Sequence, residues 1–368
     1  MDEYNAYVGL DMHKKTIAVA IAEFGRGGEV RSYGTIENNS HRLCQLAKRL
    51  EQQHGRVHFV YEAGPTGYVA QRTLAAAGYD CAIAAPSQVP RKSGDRVKTD
   101  RRDAVQLARL DRAGELTAIW VPDCQHEAIR ELTRGYEEAV QDLRRARQRV
   151  TSFLLRQGLR YPGKTNWTRT HRRWLAELSF AEPANRVALD SRLQAVDQAL
   201  ARREQMAQQV AAAVPGWRLA PVVEALRGLR GLDLVAAAGL AAEIGDVRRF
   251  AHPAQLMAYF GLVSSEHSSG ERRRPGSITK TGSPRARKLL TEAAWCYRHP
   301  PRQSTRQRAK QARLSPAVRE RCWAAQTRLH ARYRALRRAG KLPQVAVIAV
   351  ARELAGFVWA VAQDTQPA

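Results

Sequence analysis

A chain of 368 residues with 44% hydrophobic content is long enough for two or three domains and apolar enough to bury a core, which excludes a disordered tail. Sixty Lys and Arg against 35 Asp and Glu leave +25, the balance of a protein that meets a polyanion or is Arg-rich by composition alone. Five separated cysteines with no C-x-x-C pair exclude a disulfide framework and read as reduced thiols of a cytosolic protein.

In chain order, no basic leader precedes Asp2-Glu3, so neither secretion nor a membrane anchor is expected. Apolar runs bounded by turn residues predict strands at Tyr7 to Asp11, Thr16 to Phe24 and Val30 to Ile36. A helix follows around Leu43 to Leu50, then a strand at Val57 to Glu62, a helix near Tyr68 to Ala77 and a strand at Cys81 to Ala85. Three strands, a helix, a strand, a helix and a strand is the ribonuclease-H order, and it predicts an α/β domain over 1–125.

Asp11 ends the first of these strands and Glu62 the fourth, which lie side by side in that arrangement, so their carboxylates converge at one end of the sheet. Asp100 and Asp103 stand three apart at a predicted helix start and share a helix face. Four oxygen ligands suit Mg²⁺, and two such ions about 4 Å apart stabilise the attacking and leaving oxygens of a phosphoryl displacement. The competing reading is that each acid caps a strand or helix, Asp100 and Asp103 being balanced by Arg101 and Arg102.

Residues 126–214 turn helical, with Ile129, Leu132, Tyr136, Val140 and Leu143 on one stripe and Leu189, Leu193, Val196 and Leu200 on another, predicting two long amphipathic helices. The turn-rich link between them, Tyr161 to Trp167 and then Trp174, is either a nucleic-acid contact or a plain linker. Residues 215–300 begin with glycine-spaced short helices, Leu226 to Leu232 leading into Ala236 to Ile244, which either aim backbone N–H groups at phosphates or simply pack.

Farther on lies His267-Ser268-Ser269-Gly270-Glu271-Arg272-Arg273-Arg274-Pro275-Gly276. A serine hydroxyl needs activation to act as a nucleophile. Arg272, Arg273, Arg274 and Lys280 are placed to hold a phosphate beside it, with His267 as a proton acceptor; a phosphate-binding loop without covalent chemistry fits the same residues. The extension 301–368 carries thirteen Lys and Arg and one acid, Glu320, between Arg302 and Lys341, which reads as a nucleic-acid-facing arm or a solvated face. The apolar run Val345 to Val361 is broken by Arg352 and Glu353, so no membrane span is expected.

Gly9-Leu10-Asp11, Tyr61-Glu62-Ala63, Lys98 to Ala104, Glu243-Ile244-Gly245-Asp246 through Phe250, Tyr259 to Val263, Ser268-Ser269-Gly270, Gly276 to Gly282 and Arg287-Lys288-Leu289-Leu290 together resemble the one-ten family of bacterial insertion-sequence transposases, over most of residues 7 to 298. The resemblance implies a ribonuclease-H/RuvC-like DEDD domain (1–125), a helical coiled-coil segment (126–214) and a small, mostly helical transposase domain (215–300). It implies metal ligation by Asp11, Glu62, Asp100 and Asp103, and Ser269 as a nucleophile forming a phosphoserine link to DNA, with Ser268 the alternative register. It further implies donor and target DNA, an element-encoded guide RNA, a dimeric to tetrameric assembly and a cytoplasmic, nucleoid-associated protein. Two other classes remain at this point: a junction-resolvase-type nuclease that hydrolyses with water, and a non-enzymatic nucleic-acid-binding protein with a degenerate nuclease fold.

Overall fold

In the computed structural model, which describes residues 4–25, 27–90, 99–266 and 274–367, the N-terminal apolar runs form β1 (Ala6–Met12), β2 (Thr16–Glu23), β3 (Val30–Glu37), α1 (Ser40–His54), β4 (Val57–Glu62), α2 (Val69–Ala76) and β5 (Asp80–Ala84), followed by α3 (Asp100–Arg112). The predicted element order is the observed one. The largest boundary difference is α1, which starts three residues earlier and ends four residues later than its apolar stripe: Asn39 caps the start, accepting from the Arg42 N–H at 2.8 Å, and Gly55 ends it, donating to the Glu51 carbonyl.

The five strands make one mixed sheet in the order β3-β2-β1-β4-β5. β1 runs antiparallel to β2 and parallel to β4, with Leu10 opposite Tyr61. Alternation sends Val8, Leu10, Phe59 and Tyr61 to one face, where Leu43, Leu46, Leu50 and Leu74 of α1 and α2 complete a core. The other face is built of small residues: Ala18, Ala20 and Ala22 meet Ala104 and Ala108 of α3.

At Gly9 the approach is closest. A Cβ there would stand 2.2 Å from the Ala104 carbonyl oxygen and 2.6 Å from the Ala108 nitrogen, so the α3 backbone rests directly on β1. Gly9→Ala is therefore expected to destabilise residues 4–121 by ~1–3 kcal/mol or more, the cost of overpacking against backbone that has no rotamer to yield. A denaturation midpoint unchanged from wild type would mean that α3 is free to lift.

The chain divides into two compact units, Met1–Val121 and Pro122–Ala368. The second contains α4 (Cys124–Arg156), α5 (Arg169–Glu177), α6 (Pro183–Ala213), α7 (Ala220–Leu226), α8 (Leu234–Ile244), α9 (Pro253–Tyr259), β6 (Ser264–Glu266), β7 (Pro275–Ile278), α10 (Pro284–Ala294), α11 (Thr305–Gln311), α12 (Pro316–Arg338) and α13 (Pro343–Gln363). α4 and α6 are the two long helices and lie antiparallel, Asn185 donating to Gln157 at 3.2 Å and Arg202 pairing with Asp142 at 2.8 Å. Leu143, Val150, Leu189 and Val196 are buried between them.

Their link differs from a plain turn, because it contains α5. His171 is buried, and Tyr161 and Trp174 pack on its ring at 4.7 and 5.7 Å between centroids. Trp167 and Trp174 lie against the core of the helix pair. These aromatics therefore close the end of the pair.

The basic extension is likewise built into the fold. Val318, Cys322 and Leu329 of α12 and Val347, Val350, Leu354, Val358 and Val361 of α13 are buried in the core shared with α7, α8 and α10. By length and composition α13 would suffice to cross a membrane, yet its apolar side chains are committed to this core. Glu353, which interrupts the apolar run, accepts from Arg328 and Arg332 at 3.1 Å each. The cysteines are free thiols; burial pushes Cys81 and Cys322 up to about 12.

Candidate active site

Asp11 and Glu62 each lie one residue beyond the paired positions Leu10 and Tyr61. Both follow residues of the α3 side by two positions: Gly9 touches α3, and Val60 packs with Leu107. Period-two alternation therefore directs both carboxylates to the face that α3 covers. Moving from Gly9 to Asp11 along β1 parallels moving from Ala104 back to Asp100 along α3. Two strand residues span about 6.7 Å and four helical residues about 6 Å, so the start of α3 arrives beside Asp11.

The geometry bears this out. The ligand atoms of Asp11, His13 and Asp100 all lie within 4.8 Å of one another. His13 Nε2 is 3.0 Å from Asp11 Oδ2 and 3.3 Å from Asp100 Oδ2. Asp11 is the most enclosed of the three, with 20% of its side chain exposed against 47% for His13 and 65% for Asp100. Burial pushes its carboxyl above the usual carboxylate range, and the charges of Asp103 and Asp100 push the same way, against the hydrogen bond and charge of His13. Asp103, one turn into α3, thus acts on Asp11 electrostatically. Glu62 stands on the neighbouring strand at the same sheet end and is not among the atoms drawn together. Thr99 caps α3, and both of its first-turn acids sit where the helix dipole favours negative charge.

Sequence reasoning does not single out His13. Its signal is Asp11-Met12-His13, the two-residue spacing that puts both side chains on one strand face, but β1 ends at Met12, so alternation alone does not extend to His13.

In the second unit, the Ser268-Ser269 segment, with His267, Arg272 and Arg273, lies outside the described residues. The described frame around it is the β6–β7 hairpin, where Ser265 Oγ donates to the Ser277 carbonyl at 3.1 Å. Arg274 is exposed at the foot of β7. Lys280 follows β7 with φ 58°, its N–H on the Gly261 carbonyl at 3.1 Å, an uncommon conformation for a non-glycine residue. Beside it, Gly282 has φ 65°, and a Cβ there would fall 1.9 Å from the Tyr259 carbonyl oxygen. Arg287 donates to the carbonyls of Phe260 and Thr281 at 3.0 and 2.5 Å, clamping the base of the hairpin.

Other motif residues serve packing. Glu243, 8% exposed, pairs with Arg134 at 3.0 Å and so ties α8 to α4. Asp246 caps the turn at Val247–Arg249, and its carboxyl is held below the usual range by Arg248. Asp233 caps α8 by accepting from the Ala236 N–H at 2.8 Å. That carboxylate occupies the helix start at which a phosphate would otherwise be aimed, which favours the packing reading of this region.

Two family models match the chain. One, described as transposase and built on IS110 elements, covers residues 8–157; the other, described as transposase of the IS116/IS110/IS902 family, covers 223–310. The chain belongs to the IS110 family of transposases. It is 49% identical over 99% of its length to y4qE of Sinorhizobium fredii, a protein named as a transposase, covering 90% of that protein. It is 32% identical over 90% of its length to the transposase for insertion sequence element IS1533 of Leptospira borgpetersenii, covering 96% of it. As an IS110 transposase it is an enzyme acting on DNA. The first model spans all four candidate acids, and the second spans the hairpin, Gly282 and Arg287.

Proposed function

We propose that this transposase cuts and rejoins donor and target DNA through a covalent phosphoserine intermediate, with Mg²⁺, two ions per site, held by Asp11, Glu62, Asp100 and Asp103 on a ribonuclease-H/RuvC-like domain. The observation that carries the reading is the meeting of Asp11 and Asp100 across the β1–α3 contact, in a chain matched by a DEDD transposase model. The residues fit such an ion: the donors are carboxylate oxygens, which a hard cation prefers, and the mutual repulsion felt by Asp11 is what a bound cation relieves. When bound, the ions neutralise the scissile phosphate and stabilise the oxygens of an in-line displacement.

In this reading Ser269 Oγ attacks the phosphorus. One Oγ–P bond forms, one bridging P–O bond breaks, the released sugar oxygen takes up a proton, and the serine proton passes to a base such as His267. Arg272, Arg273, Arg274 and Lys280 hold the phosphate oxygens. Rejoining reverses the exchange, conserving the phosphodiester energy. An element-encoded RNA pairs with both DNAs, the protein works in the cytoplasm on the nucleoid as a dimer to tetramer, and residues 126–214, 215–300 and 301–368 act as coiled-coil segment, serine-bearing domain and basic extension.

The test is incubation of the purified protein with Mg²⁺, element-end DNA and co-expressed RNA, followed by a search for a protease-sensitive DNA adduct located by mass spectrometry. An adduct on Ser269 is expected. Clean nicks without an adduct would replace this reading with a structure-selective nuclease in which water attacks, a chemistry the same acidic cluster suits.

The exposed side of α12 supplies a further prediction. Arg319, Trp323, Arg334, Arg337 and Arg338 fall within roughly 100° of helix surface. Arg321, Arg328 and Arg332, on a different side, are paired with Asp364 and Glu353. Because α12 and α13 form core, deletion of the extension would open it, and charge removal is the usable probe. Arg334→Gln with Arg338→Gln is expected to weaken DNA binding uniformly across sequences and to reduce the salt slope by about 2, roughly 0.9 for each phosphate no longer neutralised. Fluorescence anisotropy across a salt series measures it; an identical slope would make this face merely solvated.

A further inference from the structure

We infer that His13 is a nitrogen ligand of the metal centre formed with Asp11 and Asp100, and that its imidazole raises the affinity of this centre for a first-row transition ion more than its affinity for Mg²⁺, which the carboxylates still hold. The inference rests on the metal reading of the same cluster and adds a donor of different chemistry to it.

Three features set His13 apart from an incidental surface histidine. Its Nε2 is within hydrogen-bonding distance of one oxygen from each of two carboxylates carried by different elements, 3.0 Å to Asp11 and 3.3 Å to Asp100. A single N–H cannot serve both oxygens well, and the nitrogen and the two oxygens are spaced as donors that converge on one cation. The backbone of His13 is also held on both sides: its N–H donates to the Thr16 carbonyl at 2.9 Å, and its carbonyl accepts from Asn38 Nδ2 at 2.6 Å. The ring is thus presented from a tethered turn, the preorganisation that a ligand requires. Finally, the three ligand atoms lie close enough together, within 4.8 Å, to share one ion.

Chemistry then decides the preference. Mg²⁺ is a hard cation that takes oxygen and keeps its waters, whereas imidazole suits transition ions, whose affinity for a mixed nitrogen and oxygen site is the greater. Asp11 and Asp100 by themselves offer only oxygen donors; with His13 the set becomes mixed. The alternative role for His13 is a hydrogen-bonding bridge that an arriving metal must displace. The two roles predict opposite signs on removal of the ring.

The experiment uses the full-length protein and Mn²⁺ as a paramagnetic probe, with Mg²⁺ affinity obtained by competition. Pulsed electron paramagnetic resonance of the Mn²⁺ complex is expected to carry ¹⁴N modulation from a directly bound imidazole. In His13→Asn that modulation should vanish, and Mn²⁺ affinity should fall at least about tenfold, since loss of even an outer partner of a metal ligand costs ~10–100-fold. Mg²⁺ affinity should fall less. Bound Mn²⁺ without ¹⁴N modulation, modulation that survives in His13→Asn, or tighter metal binding by that variant would each overturn the assignment while leaving the carboxylate site standing. If wild type and Asp11→Ala bind Mn²⁺ equally weakly, the metal reading itself fails, and this inference with it. The wild-type signal requires no variant to fold, and His13→Gln serves as the second substitution.

Discussion

Asp11→Ala is expected to abolish DNA strand cleavage, by roughly 10³-fold or more, while leaving DNA binding and the fold intact. On the proposed metal reading, losing the most enclosed of the carboxylates removes a metal contribution of several kcal/mol, at about 1.4 kcal/mol per decade of rate. The structure also explains why the fold should survive. The backbone of Asp11 stays paired opposite Ala18 in the β1–β2 ladder, and its carboxylate bonds to the exposed ring of His13 rather than into the core. Removing the carboxylate relieves repulsion with Asp103 and Asp100, so the thermal midpoint should be equal to wild type or slightly higher. Cleavage assays with Mg²⁺, run beside a melting curve and a binding isotherm, measure all three. Cleavage that persists with Mg²⁺ would remove the metal-site assignment, and a lower midpoint would show that Asp11 supports the sheet.

Ser269→Ala is expected to eliminate the covalent protein–DNA adduct completely, because no other atom of that side chain can form the phosphoester. The hairpin frame supports a clean interpretation. Ser265 bonds Ser277, Gly282 fits under Tyr259, and Arg287 clamps Phe260 and Thr281, all without the serine pair. Stability and DNA binding should therefore be unchanged. The adduct is measured by gel retardation before and after proteolysis, with mass spectrometry to locate it. Persistence in Ser269→Ala together with loss in Ser268→Ala would move the nucleophile by one residue.

Much of the candidate site is legible in the sequence. Strand alternation and element order put Asp11 and Glu62 at the same end of neighbouring strands, and the three-residue spacing puts Asp103 one turn beyond Asp100. His13 is not legible, because its importance depends on Asp100, which reaches it only through the packing of α3. The basic extension is half legible for a related reason. Its arginine density says that α12 has a polar surface, but the core role of Val318, Cys322 and Leu329 becomes visible only against α13. Asp233 is similarly ambiguous: a single acid before an apolar run is a helix cap by sequence, and only the 2.8 Å contact to the Ala236 N–H excludes a vacant helix start.

By itself the sequence determined the order of strands and helices, the positions of the acids along them and, through its motifs, the transposase family. These follow from local chemistry: side-chain periodicity, caps and turn residues act within a few positions and are written contiguously. Only the tertiary structure decided which of those acids meet. Asp11 and Asp100 are far apart in the chain and come together because Gly9 and a floor of alanines let the α3 backbone lie against β1. That contact depends on the absence of side-chain volume at a few sites, a condition that becomes meaningful only when the two surfaces are in place.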